Sequence, residues 1–404
     1  MSASSPEAVT STSAHTDATP TLSKALVTFL AFCCGAIVAN LYYAQPIVEL
    51  IAPRIGLSPE HASLVVALTQ FGYAAGLLFL VPLADLMENK RLVIGFTLVV
   101  AVFLTAAGLA ESPSLFLIAS LMIGLTSVAV QILVPLAAHM APENSRGRVV
   151  GNIMSGLLIG ILLARPVSSL MSAYMGWRGV FFSAAVLMVV IAALVTVLLP
   201  ARMPTHHTTY GRLIGSVFGL ARQYAVLRER SLYQGLLFAS FSFFWTVVPI
   251  ELIRHHGFSQ NGVALFALVG AVGAIAAPIA GRLADAGHGN VSTLVALALA
   301  PAAMLVGAVP GLGYLGLVAA AIALDFAVQL NMVLGQREVY ALDPNSRARL
   351  NAVFMTSIFV GGAVGSMVAS PLYERLGWTT TLCTAAVIPA LALVVYLAKH
   401  MGKR

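Results

Sequence analysis

Two ionisable side chains stand inside long apolar stretches of this chain: Arg165 in I-L-L-A-R-P and Asp325 in A-I-A-L-D-F. A charge at the centre of a lipid bilayer costs at least about 2.5–3.5 kcal/mol, so each needs a partner or a task. Along a helix rising 1.5 Å per residue, Arg165 lies roughly 25 Å beyond Arg148, and Asp325 roughly 18 Å before Arg337. Desolvation favours the protonated form of a carboxyl and brings its loading and release of a proton into a useful range. Asp325 is therefore a candidate proton-linked or cation-linked group. Arg165 is a candidate intermittent partner for it, or a binder of an anionic substrate group. Plainer roles stand beside these: Arg165 can snorkel to outer headgroups, and Asp325 can be a protonated acid bonded within a helix bundle.

Other polar residues gather in the same kind of surroundings. Asp325 and Gln329 are spaced i, i+4 and share a helix face, with Asn331 nearby. Ser127 and Gln131 repeat that spacing. Asn40, Tyr42, Tyr43 and Gln45 close the first apolar run, and Gln234 precedes the aromatic cluster Phe243, Phe244 and Trp245. As a set they describe a cavity with aromatic walls and few polar anchors, suited to an uncharged or amphipathic small molecule. Each residue taken singly is as well explained by an interhelical hydrogen bond. No H-E-x-x-H, G-x-S-x-G, P-loop or His/Asp metal cluster appears, so the pattern is not that of an enzyme, and no metal or organic cofactor is expected. His206-His207 and His255-His256 read as solvated loop pairs, and Cys33, Cys34 and Cys383 as buried small hydrophobes.

These residues must be held by membrane-spanning helices. Of the 404 residues, 59% are hydrophobic and only 9% charged, against roughly 25% charged in a soluble domain. The mean hydropathy is +0.93. Twelve apolar runs reach spanning length: near 24–44, 61–84, 91–110, 114–138, 149–173, 178–200, 231–252, 261–284, 291–310, 313–337, 348–370 and 379–398. Residues 1–22, rich in Ser, Thr, Ala and Pro, read as a disordered tail without the basic start of a cleaved signal. The expected organisation is a bundle over 23–200, a linker over 201–230, a second bundle over 231–398 and a tail over 399–404. With the N-terminus in the cytoplasm, 16 of the 22 Lys and Arg fall on cytoplasmic segments, and Arg54, Arg178, Arg254 and Arg375 fall outside. Both termini are therefore expected inside. The basic balance, net charge +7, reflects this topology and not a nucleic-acid partner.

The two halves repeat one another. Leu-Ala-Asp ends at Asp85 and again at Asp285; N-S-R-G-R at 144–148 returns as N-S-R-A-R at 345–349; Gly176-Trp177 returns as Gly377-Trp378. Six spans in each half make the repeat parallel, an arrangement of many secondary transporters with a midplane site between halves.

These features resemble the major facilitator superfamily over roughly 24–398. G-R-L-A-D-A-G-H-G, from Gly281, is similar to its loop signature G-x-x-x-D-R-x-G-R-R; the first copy keeps Asp85, Lys90 and Arg91 but has Val81, Leu86 and Glu88 at other positions of the pattern. N-L-Y-Y-A-Q-P, G-I-L-L-A-R and G-W-R resemble bacterial efflux-type members. The resemblance implies an all-α fold of twelve transmembrane helices in two six-helix repeats, with spans 1, 4, 7 and 10 lining the cavity. It also implies a cytoplasmic latch: Asp85 facing the start of span 11 near Leu350, and Asp285 the start of span 5 near Val149. Arg146 and Arg347 stand beside those starts and can pair with the acids. Two departures matter. Ser120 stands where proton-coupled exporters carry a span-4 Arg, and Ile161, Ala164 and Arg165 replace the Pro and Gly pair of G-x-x-x-G-P-x-x-G-G, so these motifs do not by themselves identify antiport. Gly156, Gly160, Ser357, Gly361 and Gly365 still predict close helix approach.

The expected function is a monomeric secondary transporter of the inner membrane, most simply an exporter of a small organic molecule driven by the proton gradient. Uptake symport or uniport on the same fold is the nearest alternative. A membrane-embedded receptor or enzyme is the different-class one. Neither the substrate nor the direction is legible.

Overall fold

A computed structural model describes residues 23–143, 145–201, 203, 209–344 and 346–401. The expected tail over 1–22, the pair His206-His207, Asn144 and Asn345 of the loop repeats, and residues 402–404 lie outside the described residues. Among the described residues nine helical segments are long and apolar enough to cross a membrane, two of them 53 residues long. Each of the two long segments turns back at one glycine, Gly176 (φ 72°, ψ 167°) and Gly377 (φ 67°, ψ 175°). An L side chain is strained at such φ, so the Gly of each Gly-Trp pair is what lets one helix end and the next begin. The tryptophan anchors the new helix: Trp177 packs on Phe116 and Phe181, and Trp378 donates to the Gly307 carbonyl at 2.8 Å. With the shorter Lys24–Ala39 these segments make twelve passes.

We number the passes as spans. Span 1 is Lys24–Ala39, span 2 Pro59–Asp85, span 3 Asn89–Leu109 and span 4 Pro113–Met140. Spans 5 and 6 cover 146–175 and 177–198. Span 7 is Ala225–Arg254, span 8 Gln260–Asp285, span 9 Gly289–Gly307 and span 10 Pro310–Ala341. Span 11 covers 347–376, and span 12 runs from 378 to 401. Among the described residues there is no strand. Span 1 stops earlier than the expected 44: the Asn40 amide bonds back to the Ile37 carbonyl at 3.0 Å, and Pro46 begins a separate 3-10 turn. The interval 201–230 holds the helix Tyr210–Gln223, which its short length and charges conceal; Val217 and Leu220 are buried beneath it while Phe218 is exposed. Cys33 and Cys34 are buried as expected. Cys383 is exposed on the outside of span 12, so it is not a core residue.

Small residues bring the helices together. Gly156 and Gly160 of span 5 lie against the backbone of Ala31 and Gly35 in span 1; Gly361 and Gly365 of span 11 lie in the same way against Gly235 and Ala239 in span 7. A Cβ at any of these four would overlap a backbone carbonyl, which is why the glycines recur in both halves.

Ion pairs and a hydrogen bond join the halves at the face away from the linker. There Arg254 holds Glu49 through two bonds of 2.8 and 2.9 Å and Glu374 at 2.7 Å. Arg375 reaches Glu60 at 3.3 Å, and Ser169 reaches the Gln260 carbonyl at 2.9 Å. On the linker face a cavity of about 340 Å³ separates Val81, Asp85 and Gln131 of the first half from Ala348, Arg349 and Ala352 of the second, beneath Leu213 and Val217 of the linker helix.

Candidate substrate and proton site

Arg165 does not snorkel. Its residue is 5% exposed, and its Nε donates to Gln45 Oε1 at 2.7 Å. Its guanidinium lies over three aromatic rings: Trp245 at 4.7 Å, Phe241 at 5.0 Å and Tyr42 at 5.1 Å. Desolvated cation–π contacts of this kind contribute up to about 2 kcal/mol each. Nη2 has no hydrogen-bond partner among the described residues. Gln45 reaches this place because the chain turns after span 1, and Ser168 of span 5 fixes the turn by donating to the Tyr43 carbonyl at 2.5 Å.

Asp325 sits in span 10, 9% exposed, and its Oδ1 accepts the Trp245 Nε1–H at 2.8 Å. Span 8 covers it through two glycines. A Cβ at Gly270 would lie 2.6 Å from Asp325 Oδ2, and one at Gly273 would lie 2.5 Å from Asp325 Cβ. Here span 8 runs as a 3-10 helix over Leu268–Ile275. Arg165 and Asp325 are therefore not in direct contact. Trp245, 1% exposed, stands between them, with its ring face toward the cation and its N–H toward the carboxylate.

The other expected residues divide. Tyr42, Gln45 and Trp245 belong to this cluster. Gln234 and Asn331 bind one another at 2.6 Å within the second half, and Gln234 also donates to the Val328 carbonyl at 3.2 Å; they tie span 7 to span 10. Asn40 caps its own helix. Tyr43 and Gln329 are half-buried. Gln131 bonds Tyr73 at 3.1 Å and lines the linker-face cavity.

Asp85 faces the start of span 11 across the cavity, but the expected latch ion pairs are not made among the described residues. Arg146 Nε donates to the Ala138 carbonyl at 2.9 Å and Arg347 Nε to the Tyr340 carbonyl at 3.2 Å. Each arginine thus caps the last turn of the preceding span in its own half, where free carbonyls and the helix dipole favour a cation. Asp285 pairs with Arg337 at 2.5 Å, again within one half. Asp85 is exposed at the cavity, which Arg349 also lines, and has no ion pair among the described residues. Arg91 pairs with Glu88 at 2.8 Å, and Lys90 is half-buried. A Cβ at Gly281 would meet nothing within 4 Å.

Several polar residues that join the halves have no charge or motif to mark them. Gln70 of span 2 donates to Ser242 Oγ at 2.5 Å, Ser242 bonds Ser366 at 2.8 Å, Ser366 lies 3.2 Å from Thr246, and Gln45 donates to Thr246 at 3.4 Å. This chain of small polar groups joins the halves beside Arg165. Their only sequence signal is a polar residue inside an apolar span. His255 is exposed in the turn after span 7, as expected for a solvated loop residue, and its Nδ1 lies 2.9 Å from Glu251 Oε2, which also accepts the Tyr373 hydroxyl at 2.7 Å.

The sequence pattern of the Major Facilitator Superfamily matches residues 26–341 and, in a second match, 230–402. The chain belongs to the Major Facilitator Superfamily. It is 39% identical over 376 residues to the Uncharacterized transporter YgaY of Escherichia coli O157:H7, covering 93% of this chain and 95% of that one. It is 30% identical over 352 residues to the Probable transporter SCO4007 of Streptomyces coelicolor, 86% and 81% of the two chains. The solved structure of the nucleoside transporter NupG (D323A mutant) superposes with a TM-score of 0.72 at 17% identity, over 92% of this chain and 98% of that one; this likeness is one of fold. The chain is thus a multi-pass membrane protein of a transporter family.

Proposed function

We propose that this member of the superfamily is a carrier and not an enzyme, and that it exports a small organic molecule in exchange for protons by alternating access. The face bearing the linker is cytoplasmic in this reading, the membrane is the inner membrane, and the working unit is the monomer. The bundles 23–200 and 231–398 rock about a site at their interface, with 201–230 as linker. No cofactor takes part beyond the proton gradient. One observation carries the reading: a buried carboxyl on span 10 and a buried arginine on span 5 meet through one indole where the halves join. Asp325 is then the group that proton and substrate compete for, and the aromatic walls suit an uncharged or amphipathic substrate. Asp85, Asp285 and the span starts at Arg146 and Arg347 form the latch of the opposite conformation, in which the cavity closes; the place of Asp85 and Arg349 on that same cavity supports this.

The test uses purified protein in liposomes with an imposed pH gradient and a panel of radiolabelled amphipathic compounds. Gradient-driven flux is expected for the wild type and is expected to disappear in Asp325→Asn while exchange of substrate for substrate persists. Equal gradient-driven flux in both proteins would exclude Asp325 as the coupling group. Flux that runs with the proton instead of against it would make the protein an uptake symporter.

A further inference from the structure

Trp245 uses both of its chemistries at once. Its N–H donates to Asp325 Oδ1 at 2.8 Å and its ring carries the Arg165 guanidinium at 4.7 Å. The two contacts reinforce one another. An indole that donates to an anion becomes richer in electrons, and a richer ring holds a cation more firmly. Removing the negative charge from Asp325 weakens the N–H bond directly and the cation–π contact through it. Arg165 in turn orients Gln45 at 2.7 Å, and Gln45 reaches across to Thr246, the residue after Trp245. The charge on Asp325 in the second half is thereby felt by a cation and a turn of the first half. The other titratable group at the indole cluster is Tyr42, whose ring stacks beneath Arg165; span 8 brings Gly270 and Gly273 against Asp325 and Phe266 against the indole, none of them titratable.

We infer that Trp245 is a positioning residue that locks the empty, ionised carrier in the conformation closed at the Glu49–Arg254 face, and that loss of the Asp325 charge releases the lock. The inference rests on the reading of Asp325 as the proton-linked carboxyl. It explains how an exchanger avoids slipping. With Asp325 ionised and no substrate bound, the indole holds Arg165 and the halves cannot part at that face. A proton on the carboxyl breaks the hold, as does a substrate that draws Asp325 or Arg165 away from the ring.

The chain has three tryptophans, so Trp177→Phe with Trp378→Phe leaves Trp245 as the sole indole. In detergent without substrate, its emission is expected to shift to longer wavelength as pH falls, because the freed N–H meets water. The shift is expected to vanish in Asp325→Asn. A pH-independent emission, or a shift that survives Asp325→Asn, overturns the lock. Should the double replacement fail to fold, 5-fluorotryptophan in the otherwise native chain gives the same reading from the ¹⁹F resonance of Trp245. Trp245→Phe keeps a ring over Arg165 but lacks the N–H. It is expected to raise proton influx without substrate about tenfold, the factor carried by one charge-assisted hydrogen bond; wild-type influx overturns the lock. The two proposals fail separately. Proton-driven flux that is lost in Asp325→Asn beside a silent Trp245 removes the lock alone. A pH-dependent Trp245 beside flux blind to the gradient removes proton coupling and leaves only the contact between the Asp325 charge and the indole, without the lock's part in transport.

Discussion

Arg165 is held by its shape as much as by its charge. Only a planar group can lie against Trp245, Phe241 and Tyr42 while sending Nε to Gln45. Lysine carries the same charge on a compact ammonium with no such plane. Arg165→Lys is therefore expected to lose the Gln45 bond and most of the stacking, about 1.5 kcal/mol or a tenfold fall in transport rate. Its melting temperature should fall by roughly a few degrees, since those contacts hold spans 5 and 7 and the turn after span 1 together. Unchanged flux in liposomes would show that the planar fork has no part in transport. That Arg165 and Asp325 are buried and compensated was legible from their rarity in apolar runs, because hydrocarbon tolerates a charge only where something compensates it. What compensates them was not legible. Trp245 gave only an aromatic signal, and Gln45 reaches Arg165 through a turn whose path depends on Ser168, more than a hundred residues away in sequence.

At the scale of helices, backbone contact sets the tolerances. Gly160 meets Gly35, and Gly361 meets Gly235, backbone against backbone. Gly160→Leu or Gly361→Leu must push two spans apart, an overpacking of about 1–3 kcal/mol. A lowered melting temperature in detergent is expected for both, and Gly281→Ala, where nothing lies within 4 Å, is the control that should melt like the wild type. If all three melt alike, the close approach contributes nothing to stability. These helices were readable because apolar length and small-residue spacing are local properties. The helix Tyr210–Gln223 was not, since its apolar side is short and becomes a signal only where it meets spans 2 and 11. The latch pairs failed to appear for a related reason: an arginine at a loop has a choice between the acid of the other half and the free carbonyls of its own preceding helix. In this conformation Arg146 and Arg347 take the carbonyls.

In the proposed cycle, two sets of contacts compete for one equilibrium across the whole molecule. The far face is closed by Arg254 with Glu49, Arg375 with Glu60, and Ser169 with Gln260. The linker face is open over its cavity, with Asp85 at the rim. A contact made in only one conformation shifts the populations by its full differential free energy. Replacing Glu49 by Gln leaves the shape but removes the charge pair, worth up to about 1 kcal/mol at a partly exposed site, and so favours opening of the far face. Asp85→Asn acts on the opposite conformation and favours the one described here. The reporter is Ser169→Cys in a chain with Cys33, Cys34 and Cys383 replaced by Ser, labelled in intact cells by a membrane-impermeant maleimide. Relative to the parent, Glu49→Gln is expected to label several-fold faster and Asp85→Asn more slowly. Rates that change in the same direction would mean that the two faces do not alternate.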